Sequence, residues 1–218
     1  MHQKIQGLYA IADNTFRPEW TPAAELALEF LRGGCRIIQL RMKYVIPAEA
    51  GIHPDVLGNA EKIMSFKKKY DFIFILNDHV DLALEIGADG VHVGADDMPV
   101  TEVRKRVGDK MLIGYSSHFL EEAVAAEKAG ADYVAFGAIF PTKTKGPGHP
   151  VQGLEKLRTV VEALKVPVVA IGGINRENFR KVQETGVAAV AMITALTGAT
   201  NIAEATRGFI SDSRTLGR

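Results

Sequence analysis

The sequence predicts an α/β fold, a (β/α)8 TIM barrel in a single domain over residues 1–218. Eight short runs of apolar and β-branched residues alternate with stretches in which apolar residues recur at helical spacing. The runs are nearly continuously apolar, as in a parallel sheet covered by helices, rather than alternating with polar residues. A doubly wound open sheet is the competing architecture, but it more usually has about five to seven strands.

The eight predicted strands follow one another along most of the chain. In order, they are GLYAIA (7–12), RIIQLR (36–41), FIFILN (72–77), GVHV (90–93), MLIGYS (111–116), DYVAFG (132–137), PVVAIG (167–172) and AAVAMI (188–193). Helix signals separate them. In TPAAELALEFLRGG, Thr21 and Pro22 give a cap and a first turn, and Gly33 and Gly34 give a stop.

Two segments fit the alternation poorly. Residues 44–58, YVIPAEAGIHPDVLG, carry two prolines and scattered small residues, which indicates an extended loop. That loop would be a lid over the site or a surface excursion, and the composition favours the surface. After Thr200 the chain predicts a last helix and then a polar end, at about residues 210–218, that we expect to be disordered.

The composition excludes several classes of protein. Because 26 Lys and Arg residues balance 26 Asp and Glu residues, no overall field attracts nucleic acid or an anionic membrane. The only cysteine, Cys35, excludes an intrachain disulfide and is expected to be a buried thiol. No run reaches the roughly 18 apolar residues of a spanning helix. We expect a cytoplasmic protein, whereas the pattern leaves the oligomeric state open.

A barrel of this kind carries its chemistry at the carboxyl ends of the strands. Polar residues follow nearly every predicted strand there: Asp13; Gln39, Arg41 and Lys43; Asn77 and Asp78; Asp96 and Asp97; Ser116, Ser117 and His118; Thr142, Thr144 and Lys145; Thr194. Scattered helix caps would also explain single residues. A polar group at nearly every position favours a functional rim.

A metal site is predicted by Asn77, Asp78 and Asp97 at the ends of neighbouring strands. Carboxylate and amide oxygens suit Mg²⁺ that is completed by water and phosphate oxygens. Taken singly, Asp78 is equally explained as a helix N-cap and Asp97 as a turn residue.

An anion site is predicted by QLRMK, where Gln39, Arg41 and Lys43 alternate and therefore point to the same side. Inside a barrel these cations need an anion or a carboxylate. A phosphorylated ligand would satisfy them, and so would a salt bridge to Asp78 or Asp97. Both interactions can be present at once.

Two further phosphate contacts are predicted. Ser116, Thr142, Thr144 and Lys145 offer hydroxyls and a point charge near the fifth and sixth strands, although an exposed mobile loop would have the same composition. After the seventh strand, the glycines of AIGGIN offer backbone amides, and tight strand-to-helix packing is the alternative. His92 in GVHV is expected to be a hydrogen-bonded core histidine.

Together, QLRMK, LND, GADGVHVGADD, IGYSSH, GADYVAFGAIFPTKTK, VVAIGGI and AMITAL resemble the thiamine-phosphate synthase family, also called thiamine-phosphate pyrophosphorylase. The resemblance runs from about Leu8 to Leu196, and Thr-x-Thr-Lys is its most specific part. It implies a barrel that joins 4-amino-5-hydroxymethyl-2-methylpyrimidine diphosphate to 4-methyl-5-(2-hydroxyethyl)thiazole phosphate. The products would be thiamine phosphate and pyrophosphate.

The resemblance also implies roles for individual residues. The pyrimidine diphosphate would be held by Gln39, Arg41, Lys43 and Asn77, with Ser116 and Lys145 gripping the diphosphate. The thiazole phosphate would lie near Thr142, Thr144, Gly173, Ile193 and Thr194. Mg²⁺ would be bound by Asp78 and Asp97. Catalytic roles would fall to Arg41, Lys43, Ser116 and Lys145.

The chain departs from the family pattern at His79 and Ala95, where the family commonly has Arg and Gln, and in residues 44–58. These departures keep two alternatives open. One is the related thiazole tautomerase, in which His118 would be the general acid and base. The other is a non-catalytic barrel that binds a phosphate ester. Retention of both aspartates and of the whole Thr-Lys-Thr-Lys element favours the synthase.

Overall fold

Eight parallel strands close into a barrel in chain order, in a computed structural model that describes residues 5–13, 15, 21–42, 54–142 and 150–214. The strands are β1 Gly7–Ala12, β2 Ile37–Leu40, β3 Ile73–Asn77, β4 Gly90–Val93, β5 Leu112–Ser117, β6 Tyr133–Phe136, β7 Val168–Ile171 and β8 Ala189–Met192. The predicted TIM barrel is therefore confirmed, and all eight predicted strands are present. The doubly wound alternative is wrong, because β1 pairs with β8.

Helices cover the outside of the barrel. Those in the described ranges are α1 Ala23–Arg32, α2 Pro54–Ser65, α3 Val80–Ile86, α4 Val100–Val107, α5 Leu120–Lys128, α6 Gly153–Ala163, α7 Phe179–Gln183, α8 Thr194–Thr197 and α9 Ile202–Arg214. In α1 the buried residues Ala23, Leu26, Ala27 and Phe30 recur at helical spacing and face the sheet. None of the helices in these ranges has the length and apolar character required to cross a membrane.

The strands are apolar on both faces because two separate clusters bury them. Inward side chains such as Tyr9, Ile75 and Val169 fill the barrel interior. Their outward neighbours, such as Ala10 and Phe74, pack against the helices. This double burial explains why the sequence shows continuous apolar runs rather than alternation.

The α2 helix begins earlier than predicted. It starts at Pro54, inside the segment 44–58 that we expected to be an extended loop. Val56, Ala60 and Ile63 are buried at helical spacing, which Gly58 and the proline obscured in the sequence. A helix tolerates proline in its first turn, so the proline is no obstacle. Residues 44–53 of the predicted loop lie outside the described residues.

The last helix also extends further than predicted. Residues 210–214 belong to α9 and are helical, although we expected disorder from about residue 210. Phe209 packs edge-on against Phe179, and Arg176 donates to the Asp212 carboxylate over 2.9 Å. These contacts attach the end of α9 to the barrel. Residues 215–218 lie outside the described residues.

The close approach of β6 and β7 generates a stability prediction. A Cβ at Gly137 would lie 2.0 Å from the Ile171 carbonyl oxygen, so Gly137→Ala requires the backbone to shift. We expect the free energy of unfolding to fall by about 1–3 kcal/mol. A Cβ at Gly58 in α2 would meet no atom within 4 Å, and Gly58→Ala should raise stability by about 0.4–1 kcal/mol. Urea unfolding measures both, and equal shifts would contradict the close approach.

Candidate active site

A pocket opens at the carboxyl ends of the strands and gathers residues from most of them. Of the residues predicted for the site, it is lined by Gln39, Arg41, Asn77, Ser116, Thr142, Gly173, Ile193 and Thr194. Its apolar wall includes Ile11, Ala135, Val169 and Ala191. Asp78 and Asp97 are described but are not among the residues that line it. Lys43, Thr144 and Lys145 lie outside the described residues.

Arg41 forms an ion pair with a carboxylate from the neighbouring strand. Its Nη1 donates to Asp13 Oδ2 at the end of β1. The Asp13 side chain is fully buried, and its Oδ1 also accepts from the Thr15 backbone N–H over 2.9 Å. The expectation of a salt bridge from Arg41 to Asp78 or Asp97 is therefore wrong, because the partner is Asp13. β2 pairs with both β1 and β3, but the backbone N–H of Arg41 donates to the Ala12 carbonyl over 3.1 Å, which places Arg41 beside Asp13.

Asp78 lies in the turn that follows β3. Its backbone has a φ of 64°, in the left-handed region that aspartate tolerates better than most residues. The backbone N–H of Asp78 donates to the His92 carbonyl over 2.9 Å, which ties the turn to β4. The α3 helix starts at Val80, with His79 rather than Asp78 at the N-cap position. The interpretation of Asp78 as that N-cap is therefore wrong.

Asp97 closes the turn after β4, as the alternative interpretation expected. Its Oδ2 accepts from the Gly94 backbone N–H over 2.8 Å. Burial lowers the pKa of His79, and the nearby Asp97 carboxylate opposes that shift. Asp78 is hydrogen-bonded to His92 and Asp97 to Gly94, so both aspartates lie at the end of β4.

The donor set in this region suits a hard divalent ion held by few protein groups. In the described part of the chain, no cluster of three or more His, Cys, Asp or Glu side chains is placed to hold a metal. Such closed cages are typical of structural zinc, whereas Mg²⁺ needs only one or two carboxylates plus water and substrate phosphates. Asp78 and Asp97 could supply those two carboxylates.

A row of hydrogen bonds crosses the barrel beneath the pocket. Gln39 Nε2 donates to the Tyr9 hydroxyl over 3.0 Å, and the hydroxyl oxygens of Tyr9 and Tyr133 are 2.8 Å apart. Tyr133 then meets His92 Nδ1 at 3.0 Å, and His92 Nε2 meets Ser116 Oγ at 2.9 Å. We call these five residues the hydrogen-bond row. His92 is confirmed as a hydrogen-bonded core histidine, and it also lines the pocket.

The two tyrosines of the row were missed in the sequence. Tyr9 and Tyr133 are 2% and 0% exposed, and burial raises the pKa of both phenols. Both hydroxyls therefore stay protonated over the whole working pH range. The available signal was the tyrosine in GLYAIA and in DYVAFG, since both fall at inward positions of their strands.

The glycines after β7 make close backbone contacts. Gly172 and Gly173 have φ values of 101° and 65°, which favour glycine. A Cβ at Gly173 would also lie 2.5 Å from the Pro141 carbonyl oxygen. The packing is tight, as the alternative interpretation expected, but it is against the segment that follows β6 rather than against a helix. Gly173 lines the pocket as well. Packing and ligand contact are compatible, because Gly172 and Gly173 both line the pocket.

His118 is placed differently from the row. Its Nδ1 lies 2.6 Å from the Gly137 carbonyl oxygen, so the ring contacts the end of β6. It is not among the described residues that line the pocket.

The chain is similar to known proteins over most of its length. Residues 8–196 match the family model described as thiamine monophosphate synthase. The chain is 43% identical over 199 residues to the thiamine-phosphate synthase of Pyrococcus furiosus, covering 91% of this chain and 90% of that protein. It is 41% identical over 204 residues to that of Shouchella clausii, covering 94% of each. The solved thiamine phosphate pyrophosphorylase from Pyrococcus furiosus superposes with a TM-score of 0.81 at 38% identity, covering 96% and 98% of the two chains.

The ion pair at the rim can be tested through stability. Asp13→Asn removes the charge that compensates Arg41 in a buried position, and we expect the free energy of unfolding to fall by about 1–3 kcal/mol. Asp71→Asn is the matched control, because Asp71 forms an ion pair with Arg36 in which the two side chains are 87% and 71% exposed, respectively. That pair should contribute at most about 1 kcal/mol to the free energy of unfolding. Urea unfolding of both variants gives the comparison. A loss for Asp13→Asn no larger than that for Asp71→Asn would contradict a structural role of this pair.

Proposed function

Because the chain belongs to the thiamine monophosphate synthase family, we propose that it is a transferase with thiamine-phosphate synthase activity. It would join 4-amino-5-hydroxymethyl-2-methylpyrimidine diphosphate to 4-methyl-5-(2-hydroxyethyl)thiazole phosphate, with release of pyrophosphate. One observation supports this most directly: a single pocket is lined by eight of the residues that the resemblance assigns to the two substrates.

The reaction replaces one bond at the pyrimidine methylene carbon by another. The bond to the diphosphate oxygen breaks with its electron pair leaving on pyrophosphate, and the thiazole nitrogen donates its pair to the same carbon. The cation formed in between is stabilised by resonance with the aminopyrimidine ring. Catalysis therefore needs stabilisation of the leaving group's charge and a thiazole held in line.

The described residues provide suitable groups for each half of this task. The Arg41 guanidinium offers a cation for the diphosphate, and the Ser116 hydroxyl and Asn77 amide offer neutral contacts on the same side. Gly173, Ile193 and Thr194 lie at the ends of β7 and β8, where barrels commonly bind a phosphate through backbone amides. The resemblance adds Lys43, Thr144 and Lys145, which lie outside the described residues.

The apolar wall of the pocket supports the same reaction. Ile11, Ala135, Val169 and Ala191 line it, so water has few hydrogen-bond partners beside the reacting carbon. Exclusion of water protects a cation from hydrolysis.

The proposed reaction requires no covalent nucleophile. Burial raises the pKa of Cys35 to about 11, and its thiol packs between sheet and helices, away from this wall.

Mg²⁺ is part of the proposal, with Asp78 and Asp97 as its protein ligands. When bound, the ion would neutralise charge on the diphosphate and so improve it as a leaving group. His79 stands where the family commonly has arginine, and burial lowers its pKa and so favours the neutral ring. Arg41 is then the described cation best placed to share this task, since it lines the pocket.

The related thiazole tautomerase is less well supported. It would use His118 as general acid and base, yet this ring contacts the Gly137 carbonyl rather than the pocket. The curated relatives compared above are all synthases. We also propose a cytoplasmic location, which the free buried thiol of Cys35 supports.

The activity is tested by incubating the purified chain with both substrates and Mg²⁺. We expect thiamine phosphate and pyrophosphate to form in equal amounts, detected by chromatography and a coupled pyrophosphate assay. Omission of either substrate should abolish both products. Binding of thiazole phosphate without product formation would instead indicate a non-catalytic phosphate-ester barrel and would defeat the proposal.

The metal assignment predicts a specific defect for Asp97→Asn. The amide keeps an acceptor for the Gly94 N–H, so the turn should persist while the ligand charge is lost. We expect the Mg²⁺ concentration for half-maximal rate to rise about tenfold or more. Asp96→Asn is the matched control, because Asp96 is the exposed neighbour and should leave this value unchanged. Unaltered Mg²⁺ activation in Asp97→Asn would remove Asp97 from the metal site.

A further inference from the structure

The hydrogen-bond row joins two residues that line opposite sides of the pocket. Gln39 on β2 and Ser116 on β5 form its ends, and Tyr133 in its middle is completely buried. We propose that Tyr133 and His92 are positioning residues that fix which hydrogen-bonding atoms Gln39 and Ser116 present to the substrate. This inference deepens the proposed function. Only its effect on the rate of thiamine phosphate formation rests on that function.

The direction of the row follows from counting protons, beginning at Gln39. Its amide nitrogen can only donate, so the Tyr9 oxygen accepts there and Tyr9 directs its own proton to Tyr133. Each phenol has one proton to donate. Tyr133, having accepted from Tyr9, therefore donates to His92 Nδ1.

The imidazole transmits this direction to Ser116. Since Nδ1 of His92 accepts, the ring is neutral and carries its proton on Nε2. Nε2 then donates to the Ser116 oxygen, which is 2.9 Å away. The Ser116 hydroxyl proton is then not used by His92, and it can be donated to a ligand in the pocket that Ser116 lines. Gln39, with Nε2 turned to Tyr9, keeps its carbonyl oxygen as the acceptor.

The central contact of the row depends on a glycine between its partners. Gly114 on β5 pairs in register with His92 on β4 and with Tyr133 on β6. A Cβ at Gly114 would lie 2.3 Å from the Tyr133 hydroxyl oxygen and 2.4 Å from His92 Nδ1. A side chain at this position would therefore separate the two groups. Their hydrogen bond has room to form because glycine has no side chain.

The two ends are coupled in consequence. Between the two ends, each group donates one hydrogen bond of the row and accepts another. If Gln39 accepted instead of donating, every hydrogen bond as far as Ser116 would therefore reverse its direction. The substrate site then presents either an acceptor at Gln39 with a donor at Ser116, or the opposite pair. The orientation of the Gln39 amide selects the first arrangement, which suits a ligand with a donor at one end and an acceptor at the other.

The tautomer of His92 tests the inference without any substrate. Long-range ¹H–¹⁵N NMR of the wild-type protein separates protonated from bare ring nitrogens, and His92→Gln identifies the His92 signals by their loss. We expect a bare Nδ1 and a protonated Nε2. A protonated Nδ1 in the wild-type protein would overturn the inference, whatever the enzyme assay shows.

Reversal of the row is the sharper test. Gln39→Glu at pH 8 places a carboxylate that only accepts beside Tyr9, so the bonds should run the other way and Nδ1 of His92 should gain a proton. In Gln39→Glu/Tyr133→Phe the connection is broken, and the His92 signals should match those of Tyr133→Phe alone. A bare Nδ1 in Gln39→Glu would overturn the inference.

The rate measurement links the row to catalysis. We expect Tyr133→Phe to lower kcat/KM for thiamine phosphate formation about tenfold, less than the 10²–10³ typical for loss of a direct donor. Thr206→Val is the matched control, because it also removes a fully buried hydroxyl, one that donates to the Ile202 carbonyl in α9. Equal kcat/KM values for the two variants would contradict the positioning role. If neither the wild-type protein nor any variant forms product, the proposed function fails. The NMR measurement still decides whether the hydrogen bonds of the row run in the inferred direction.

Discussion

The pairing of β1 with β8 is the constraint on which the rest of this structure depends. Gly7 to Ala10 pair with Ala189 to Met192, and this closes a sheet that would otherwise have two edges. Closure brings the carboxyl ends of eight parallel strands to one rim, so residues as distant in sequence as Gln39 and Thr194 line one pocket. It also creates an interior in which every polar group must find its partner from another strand.

That second requirement explains the polar interior. Gln39, Tyr9, Tyr133 and His92 are each at most 6% exposed, and each is satisfied by a residue of a different strand. Arg41 is satisfied in the same way by Asp13. The barrel thus combines an apolar wall with a small number of hydrogen-bonded polar groups, an arrangement typical of ligand pockets.

The sequence was informative wherever a pattern is local. Strands, their order and the polar rim follow from continuous apolar runs and from the residues that end them. The pairing of Arg41 with Asp13, and the contact of Tyr9 with Tyr133 across 124 residues, depend on how the strands are staggered around the barrel. No local pattern specifies that stagger. The early start of α2 was obscured by Pro54 and Gly58, although the burial of Val56, Ala60 and Ile63 decides it.

The absence of a side chain at Gly114 has a consequence for how this barrel can change. His92, Gly114 and Tyr133 occupy one level of β4, β5 and β6, and the space left by the glycine is filled by atoms of the other two. A substitution at any one of the three leaves either a collision or an unpaired polar group. These three strands are therefore expected to vary together among homologues. A designer who grafts this rim onto another barrel would have to transfer β4 to β6 as a single module.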